Sequence, residues 1–222
     1  MEILRVDNLS KIYNSGKNKV CALKNVDFSV SKWEFVAIIW ESGSGKSTLL
    51  NMVWWLDLPT SGNVYINWNN ISKMDDDELT IFRRRNIWFV FQNFNLISEL
   101  NVEQNIVFPS LLDYKRPDNE YVEILLKDLW LWEHRDHLPS ELSGWQQQRV
   151  AIWRALVMKP FLILADEPTW NLDSKNSIEI INLFKETSKK YNQTILMITH
   201  SQIVAKSADR ILRVSDWKLS EI

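Results

Sequence analysis

A short apolar strand, a glycine-containing loop and a helix-like stretch follow one another early in the chain, and this unit constrains the fold more than any other feature. Residues 35–39 are apolar and predict a buried strand, and residues 42–48 read Ser-Gly-Ser-Gly-Lys-Ser-Thr. In such a unit the loop amides and the helix N-terminus face anionic oxygens, Lys46 adds positive charge and Ser47 can ligate Mg²⁺. The first ligand predicted is therefore a nucleoside triphosphate. The pattern G-x-x-x-x-G-K-[ST] asks for glycine at position 40, however, and this chain has Trp40.

Tryptophan and glycine occur in unusual numbers. The chain has 222 residues, of which 12 are tryptophan and 5 are glycine, whereas average glycine usage of roughly 7% would give about 16. Asn67-Trp68 and Asp216-Trp217 stand where Asn-Gly and Asp-Gly normally form hairpin turns with positive φ, and Trp33 lies in a similar turn. Bulky residues are strained at positive φ. We interpret many or all of these tryptophans as occupying glycine positions, through engineering, a library or an error in the written sequence.

Charge, cysteine content and hydropathy exclude several classes of protein. The net charge of −2 argues against a nucleic-acid-binding surface as the main function. Cys21 is the single cysteine, which excludes an intramolecular disulfide and argues against a thiolate zinc site. His134 and His137 have no partners at metal-ligand spacing, so a surface loop is predicted for both. No signal peptide is predicted, and no apolar run approaches the length of a membrane span, so we expect membrane association only through a partner.

The apolar patterns predict one α/β domain over residues 1–222. A helix over residues 75–85 has acids in its first turn and arginines in its last, which complements the helix dipole. Residues from about 93 to 160 carry helical patterns and predict an inserted helical subdomain. After it, strands and helices alternate, which implies a parallel sheet covered by helices. The strand-like segments are residues 4–9, 26–30, 35–39, 63–66, 86–91, 161–165, 194–199 and 211–214.

Polar residues follow three of the predicted strands. In open parallel sheets, ligands bind beyond the carboxyl ends of the strands. The first of these strands leads into the glycine loop, the second ends in Asp166 and Glu167, and the third ends in His200. Two acids directly after a buried strand are costly unless they serve a cation or a water. Asp166 suits a Mg²⁺ ligand held through water, Glu167 can orient or deprotonate an attacking water, and His200 can donate to the γ-phosphate or hold that water.

A second helix start indicates the family. Residues 142–149 read Leu-Ser-Gly-Trp-Gln-Gln-Gln-Arg, and Ser143 is the predicted cap of a helix that runs to about Met158. Such a helix N-terminus can bind an anion, and it would be a second anion site besides the glycine loop. The segment resembles the Leu-Ser-Gly-Gly-Gln signature of ATP-binding-cassette (ABC) ATPases, with Trp145 in place of the second glycine. In that family two cassettes pair head to tail, and each signature closes on the other cassette's ATP.

The resemblance covers the whole chain and implies a P-loop NTPase core with a parallel sheet, a small antiparallel β subdomain and the inserted α-helical subdomain. Tyr13 resembles the aromatic residue that stacks on adenine. Gln92 resembles the glutamine that touches the metal and relays nucleotide state to the helical subdomain. Asn171-Leu172-Asp173 resembles the coupling loop between the two sites of the dimer. Asp166, Glu167 and His200 match the metal-binding, base and switch-histidine positions.

The resemblance thus implies a complete set of site residues. The implied ATP-binding residues are Tyr13, Trp40, Glu41, Ser42, Gly43, Ser44, Gly45, Lys46, Ser47 and Thr48. The implied catalytic residues are Glu167, His200 and Gln92, and the implied Mg²⁺ ligands are Ser47, Gln92 and Asp166. The signature residues, which would contact the partner's ATP, are Leu142, Ser143, Gly144, Trp145 and Gln146.

Residues 87–97 and 165–173 resemble one subgroup, the lipoprotein-release, macrolide-export and bacitracin-resistance type cassettes, whose permeases have few membrane helices. This resemblance implies ATP and Mg²⁺ as cofactors, a second cassette as dimer partner, and a transmembrane permease that holds the chain at the inner face of the membrane. The expected function is an ATPase subunit that powers an exporter of lipoprotein, peptide or antibiotic type cargo. Two alternatives are a regulatory cassette of a cell-division or cell-wall complex and a catalytically dead variant.

Family patterns have glycine at most or all of the twelve tryptophan positions. Trp40 and Trp145 matter most, because glycine there lets backbone amides approach phosphate closely. We therefore expect the chain with these tryptophans to bind ATP weakly and to hydrolyse it poorly or not at all. Overpacking typically costs about 1–3 kcal/mol per site, and total stability is about 5–15 kcal/mol. Twelve such substitutions therefore threaten folding itself.

Overall fold

The computed structural model describes residues 1–15, 18–40, 46–128, 131–215 and 218–221. Two sheets form the centre of the molecule, and helices pack on them. The strands are β1 (Glu2–Ser15), β2 (Asn18–Ser31), β3 (Phe35–Trp40), β4 (Ser61–Ile66), β5 (Asn69–Asn70), β6 (Ile87–Val90), β7 (Leu162–Asp166), β8 (Thr194–Thr199), β9 (Arg210–Ser215) and β10 (Lys218–Glu221). The α-helices are α1 (Lys46–Val53), α2 (Asp76–Asn86), α3 (Val102–Leu112), α4 (Asn119–Asp128), α5 (Gly144–Leu156), α6 (Ser174–Lys190) and α7 (Gln202–Ala205).

The larger sheet has six strands in the order β10-β9-β3-β8-β7-β6, and every neighbouring pair except β10 with β9 is parallel. Its register places Ile39 beside Thr199 and Asp166 beside Ile198. The carboxyl ends of β3, β8 and β7 therefore lie next to one another at one edge, which we call the carboxyl edge. The predicted parallel sheet is confirmed.

The smaller sheet is antiparallel, in the order β2-β1-β4-β5. Strands β1 and β2 have 14 residues each and pair along almost their whole length, so the predicted strands over residues 4–9 and 26–30 were too short. The extra residues mix polar and apolar positions, such as Lys19, Val20 and Lys24, and only pairing with the neighbouring strand reveals them. The antiparallel β subdomain implied by the family resemblance is confirmed.

Strand β3 lies between two hydrophobic cores, because its side chains point alternately to opposite faces of the sheet. Val36 and Ile38 belong to the core shared with the small sheet and α1. Phe35, Ala37 and Ile39 belong to the core under helices α3 to α6. A run that is buried on both faces reads as continuous apolar sequence, and this is why residues 35–39 were predictable.

Helices α3, α4 and α5 all lie between β6 and β7. Local signals fix several helix ends: Asp75 and Glu78 form a capping box at α2, and Asn101 and Gln104 form one at α3. Helix α5 ends at Leu156, two residues before the predicted Met158. The chain leaves the helix where Lys159 adopts φ 49°, directly before Pro160.

None of the helices within the described ranges is both long enough and apolar enough to cross a bilayer.

Candidate nucleotide site

Glu167 and His200 meet at the carboxyl edge, each directly after the strand that positions it. The His200 Nδ1 atom lies 2.9 Å from Glu167 Oε2, and the His200 backbone N–H donates to the same oxygen at 3.4 Å. Glu167 is 1% exposed, whereas the His200 side chain is 55% exposed. The geometry is therefore a buried carboxylate held by an accessible histidine, as a base that must keep a fixed position requires.

The backbone of Glu167 is strained. Its φ is 44°, in the left-handed region that residues other than glycine rarely adopt. The Glu167 N–H donates to the Ile198 carbonyl at 3.0 Å, which fixes this peptide between β7 and β8. Strained residues persist where their surroundings over-determine them, and such residues cluster at functional sites.

The strand and the helix of the predicted phosphate-binding unit are confirmed. Strand β3 runs to Trp40, and helix α1 begins at Lys46 with Ser47 and Thr48 in its first turn. The helix N-terminus therefore opens at the carboxyl edge, where its dipole favours anions. The loop residues predicted to bind phosphate, Glu41, Ser42, Gly43, Ser44 and Gly45, lie outside the described part of the chain.

Tyr13 lies on β1 beside the first turn of α1. Its hydroxyl donates to Asp57 Oδ2 at 2.5 Å and lies 3.4 Å from Thr48 Oγ1. The residue is 38% exposed, so its ring is available to a ligand rather than enclosed in the core. Sequence reasoning missed Asp57, because a single acid after a helix has no spacing that distinguishes it from a solvated surface residue.

The signature segment (residues 142–146) forms the start of helix α5, with Ser143 at the N-cap position as predicted. Both the backbone N–H and the hydroxyl of Ser143 donate to Gln146 Oε1 at 2.8 Å. Leu142 is buried beneath this turn. The Arg149 guanidinium carbon lies 4.5 Å from the centroid of the Trp145 ring, so the indole stacks along the first turn of the helix.

Three of the predicted motifs are brought together. A Cβ atom built on Gly144 would lie 3.5 Å from the Phe94 ring and 3.7 Å from Leu172. The Asn171 amide donates to the Gln92 carbonyl and to Asn93 Oδ1, each at 3.1 Å. The signature, the segment after Gln92 and the coupling loop (residues 171–173) are therefore contiguous. In that loop, hydrogen bonds from the backbone and the side chain of Asn176 lower the pKa of the Asp173 carboxyl, which caps α6.

Arg154 is a further residue of this region that sequence reasoning missed. It lies on α5, is 8% exposed, and donates through Nη1 to the Asn95 carbonyl at 2.6 Å and through Nη2 to the Phe94 carbonyl at 3.1 Å. Burial lowers its pKa to about 10, so the guanidinium is still charged at neutral pH. The signal that could have identified it is an arginine within an otherwise apolar helix face.

The predicted metal ligands lie on neighbouring elements. Asp166 ends β7, Gln92 follows the adjacent β6, and Ser47 lies in the first turn of α1. Among the described residues no three histidine, cysteine, aspartate or glutamate side chains group as a metal site. Hard oxygen donors in small number are what Mg²⁺ uses when nucleotide phosphates complete its coordination, so these residues fit that ion.

His134 and His137 were predicted to lie in a surface loop, but both are only partly exposed and His134 ends a 3₁₀ helix. Their Nδ1 atoms lie 2.9 Å apart, within and just after the 3₁₀ helix Trp132–His134. Because residues three apart lie above one another in a 3₁₀ turn, the spacing itself brings the two rings together.

The tryptophans fit their surroundings poorly at several positions. Trp33, Trp55 and Trp68 have φ values of 67°, 58° and 68°, which confirms the predicted positive-φ turns at Trp33 and at Asn67-Trp68. Trp88 and Trp153 bury an indole N–H that has no hydrogen-bond partner in the described part of the chain. A buried donor left unpaired costs about 1–3 kcal/mol. The predicted turn at Asp216-Trp217 lies outside the described residues.

Comparisons with known proteins agree with this arrangement. Residues 23–170 match the family described as ABC transporter. The lipoprotein-releasing system ATP-binding protein LolD 1 of Rhodopseudomonas palustris is 39% identical over 223 residues, which cover 99% of each chain. The macrolide export ATP-binding/permease protein MacB of Syntrophobacter fumaroxidans is 40% identical over 97% of this chain and 31% of its own length. A solved ATP-binding cassette of Methanocaldococcus jannaschii, dimeric and in a post-hydrolysis state bound to ADP and Pi, is 42% identical with a TM-score of 0.85, covering 99% of this chain and 97% of that one.

Proposed function

This chain belongs to the ABC transporter family of ATPases, and from that premise we propose that it powers a membrane exporter of the lipoprotein-release and macrolide-export type. The observation that carries the proposal is the bond between buried Glu167 and exposed His200 where β7 and β8 end. A fixed base at this edge stands close to the strand and helix of the phosphate-binding unit. This arrangement supports hydrolysis of a triphosphate bound at the N-terminus of α1.

In the proposed reaction, a water attacks the γ-phosphorus of ATP and the bond to the bridging oxygen breaks, which releases ADP and phosphate. Glu167 orients the water and accepts its proton. His200, which contacts Glu167 through Nδ1 in this structure, would donate to the γ-phosphate once the nucleotide is bound. It can donate to Glu167 and to the phosphate at the same time only when both ring nitrogens carry a proton. Positioned proton transfer of this kind contributes about 10²–10⁴-fold to a rate.

The remaining site residues are assigned to binding. The amides of residues 40–45, Lys46 and the α1 N-terminus would hold the phosphates, and the Tyr13 ring would stack on adenine. When bound, Mg²⁺ neutralises phosphate charge. Its protein ligands would be the Ser47 hydroxyl, the Gln92 amide oxygen and, through water, the Asp166 carboxylate.

We further assign two partners to the chain. A second copy would pair with it head to tail, so that signature residues 142–146 of one chain close on the ATP of the other. A transmembrane permease would hold the pair at the inner face of the membrane, with residues from about 93 to 160 acting as the helical subdomain that senses nucleotide. The proximity of Gly144 to Phe94 and Leu172, which a Cβ atom built on Gly144 would contact, supports this assignment, because it places the signature next to the segment after Gln92 and next to the coupling loop.

Phosphate release from Mg²⁺-ATP tests the proposed activity in two forms of the protein. One is this chain, called the tryptophan form, and the other carries glycine at all twelve tryptophan positions and is called the glycine form. We expect the glycine form to hydrolyse ATP, and Glu167→Gln to lower that rate by about 10²–10⁴-fold. The tryptophan form should hydrolyse ATP poorly, because Trp40 and Trp145 occupy positions where phosphate approaches the backbone.

The matched control is Glu186→Gln, which removes an exposed carboxylate from α6 and should leave the rate unchanged. A folded glycine form whose phosphate release does not depend on Glu167 would contradict the assignment. The proposed pairing is tested separately. The Glu167→Gln variant of the glycine form should elute as a dimer with ATP and as a monomer with ADP, and elution as a monomer with both would exclude the ATP-dependent dimer.

A further inference from the structure

Tyr13 is held by two neighbouring side chains that belong to no recognised motif of the sequence. Its hydroxyl donates to one oxygen of Asp57 at 2.5 Å, and Lys11 Nζ donates to the other oxygen at 2.5 Å. Lys11 Nζ also donates to the Leu58 carbonyl at 2.6 Å and lies 4.9 Å from the centroid of the Tyr13 ring. The carboxylate is thus shared between the phenol and the ammonium group, and the cation covers one side of the ring.

Asp57 is itself tied to the helix of the phosphate-binding unit. The backbone N–H groups of Leu56 and Asp57 donate to the Asn51 carbonyl at 2.7 and 3.2 Å, which anchors this turn to the end of α1. The proposed phosphate site therefore lies at the start of α1, and Asp57, which is hydrogen-bonded to Tyr13, lies shortly after the end of the same helix.

The pKa shifts of Tyr13 and Asp57 favour the hydrogen bond between them at physiological pH. Burial and the bond to Asp57 raise the pKa of the Tyr13 phenol, so it stays a donor. Burial works against ionisation of Asp57, but the bonds from Lys11 and Tyr13 outweigh it and lower the pKa of the carboxyl. A half-exposed tyrosine would otherwise sample several rotamers, and fixing a side chain before binding reduces the entropy lost on binding.

We propose that Asp57, together with Lys11, is a positioning residue for nucleotide binding that fixes the Tyr13 ring in the orientation that stacks on adenine. The proposal rests on the proposed function, since it assumes that ATP is the ligand. It assigns to a residue outside the recognised motifs a role in recognising the base rather than the phosphates.

Calorimetric titration of the glycine form with ATP and with inorganic tripolyphosphate, which lacks the base, separates these roles. Asp57→Asn and Tyr13→Phe should each weaken ATP binding roughly five- to tenfold, the usual effect of losing one such hydrogen bond. Their double variant should be no weaker than either single variant, because both remove the same interaction. Tripolyphosphate binding should not change. Asp7→Asn, which removes an exposed carboxylate paired with Arg5 on the same strand, should leave both affinities unchanged.

The outcomes distinguish this proposal from the proposed function. Equal loss of ATP and tripolyphosphate affinity in Asp57→Asn would mean that Asp57 acts through α1, and unchanged ATP affinity would mean that it positions nothing. Either result overturns the proposal while Tyr13→Ala still shows whether the ring is used. Failure of the glycine form to bind ATP at all would overturn the function and this proposal together. Tyr13→Phe keeps the test decisive if Asp57→Asn does not fold.

A second inference follows independently from the tryptophans. The backbone adopts φ values near 60° at Trp33, Trp55 and Trp68, and it leaves indole N–H groups without partners at Trp88 and Trp153 in the described ranges. The chain has 12 tryptophans and 5 glycines, and the glycine-loop and signature patterns that it resembles have glycine where Trp40 and Trp145 stand. Unrelated substitutions would vary in both the residue lost and the residue gained, whereas the positions with positive φ and these two motifs all point to tryptophan in place of glycine.

We infer that a single codon supplies all twelve residues and is translated as glycine in the cell that makes this protein. UGA fits this role, because it differs from the tryptophan codon UGG at its third base and from the glycine codon GGA at its first. One altered transfer RNA would then account for every substitution. Under this inference the working protein has an intact phosphate loop and signature.

The gene and the natural protein test the inference. All twelve codons should be UGA, and tryptic peptides of the protein isolated from its own cells should have the masses that glycine gives at these positions. A UGG codon at any of the twelve would overturn a single-codon origin, and tryptophan in the natural peptides would overturn glycine decoding.

Discussion

Glu167 at the carboxyl edge and Trp33 and Trp68 in the turns share one kind of backbone strain but differ in what their side chains do. All three have positive φ, at 44°, 67° and 68°. The Glu167 side chain is buried and bonded to His200, whereas Trp33 and Trp68 are 51% and 64% exposed. A left-handed conformation costs about 1–2 kcal/mol for a residue with a Cβ atom. At Glu167 the strained backbone is accompanied by the side-chain bond to His200. In the two turns no such bond among the described residues accompanies the strain, and the backbone conformation favours glycine.

The largest effect that we expect is at Glu167, where replacement by glycine should lower activity but raise stability. Glu167→Gly in the glycine form should lower the rate of ATP hydrolysis by about 10²–10⁴-fold. Its free energy of unfolding should rise by about 1 kcal/mol as the strain is relieved. Phosphate release and urea unfolding measure the two quantities. A variant that keeps its activity, or loses several kcal/mol of stability, would show that the strain at Glu167 serves the fold rather than the site.

Arg154, near the candidate site, offers a second comparison. Its charged guanidinium is buried, which is energetically unfavourable, as is the strained backbone of Glu167. Arg154→Met should lower the free energy of unfolding by about 2–3 kcal/mol, because the carbonyls of Phe94 and Asn95 lose a charged donor. Exposed Arg116 offers the matched control, and Arg116→Met should change stability by no more than about 0.5 kcal/mol. Equal effects of the two substitutions on urea unfolding would mean that the Arg154 contacts contribute nothing beyond an exposed side chain.

Relief of strain in the turns should be the next largest effect. The double variant Trp33→Gly/Trp68→Gly should raise the free energy of unfolding by about 2 kcal/mol, since both indoles are exposed and the relief of strain outweighs the loss of the Lys32 contact with the Trp33 ring. Trp132→Gly is the control, because Trp132 begins a 3₁₀ helix and is not among the positive-φ residues. This control should lose stability. A double variant less stable than the parent chain would refute the glycine interpretation of these turns.

Asp113 contrasts with Glu167 as a buried carboxylate with purely structural partners, and it should give the smallest effect. A hydrogen bond from Lys115 lowers the pKa of Asp113 against the opposing effect of burial, and one from Arg85 lowers it further. The unfolded chain therefore binds this proton first as the pH falls. The stability that Asp113 contributes is present above about pH 4 and is lost as the pH falls through the folded pKa. Thermal unfolding midpoints of the parent chain and Asp113→Asn should differ at neutral pH and converge as the pH falls below the folded pKa of Asp113.

Elements with strong local or periodic signals were predictable from the sequence. Strand β3 is buried on both faces and reads as continuous apolar sequence, and helix α2 carries its own capping residues. Asp166, Glu167 and His200 could be grouped in advance, because parallel strands bring their carboxyl ends to one edge. Their predicted roles in catalysis and metal binding stay predictions.

Features that depend on distant contacts were not predictable. The full lengths of β1 and β2 arise from pairs such as Ile12 with Cys21 and Tyr13 with Val20, in segments where bulges interrupt the register. Asp57 supports Tyr13 across 44 positions of sequence, and Arg154 contacts carbonyls 59 and 60 positions away. No spacing rule connects residues so far apart, and only the packed fold places them together.

The bond between Glu167 and His200 affects whether Glu167 can accept a proton when no nucleotide is being hydrolysed. While Glu167 Oε2 accepts from His200, that oxygen is already engaged and is a poorer acceptor for the proton of a stray water. A nucleotide that draws His200 toward its own phosphate would release the carboxylate at the same moment that it supplies the bond to be cleaved. His200 would then limit ATP hydrolysis by the subunit until a correctly bound nucleotide engages the histidine.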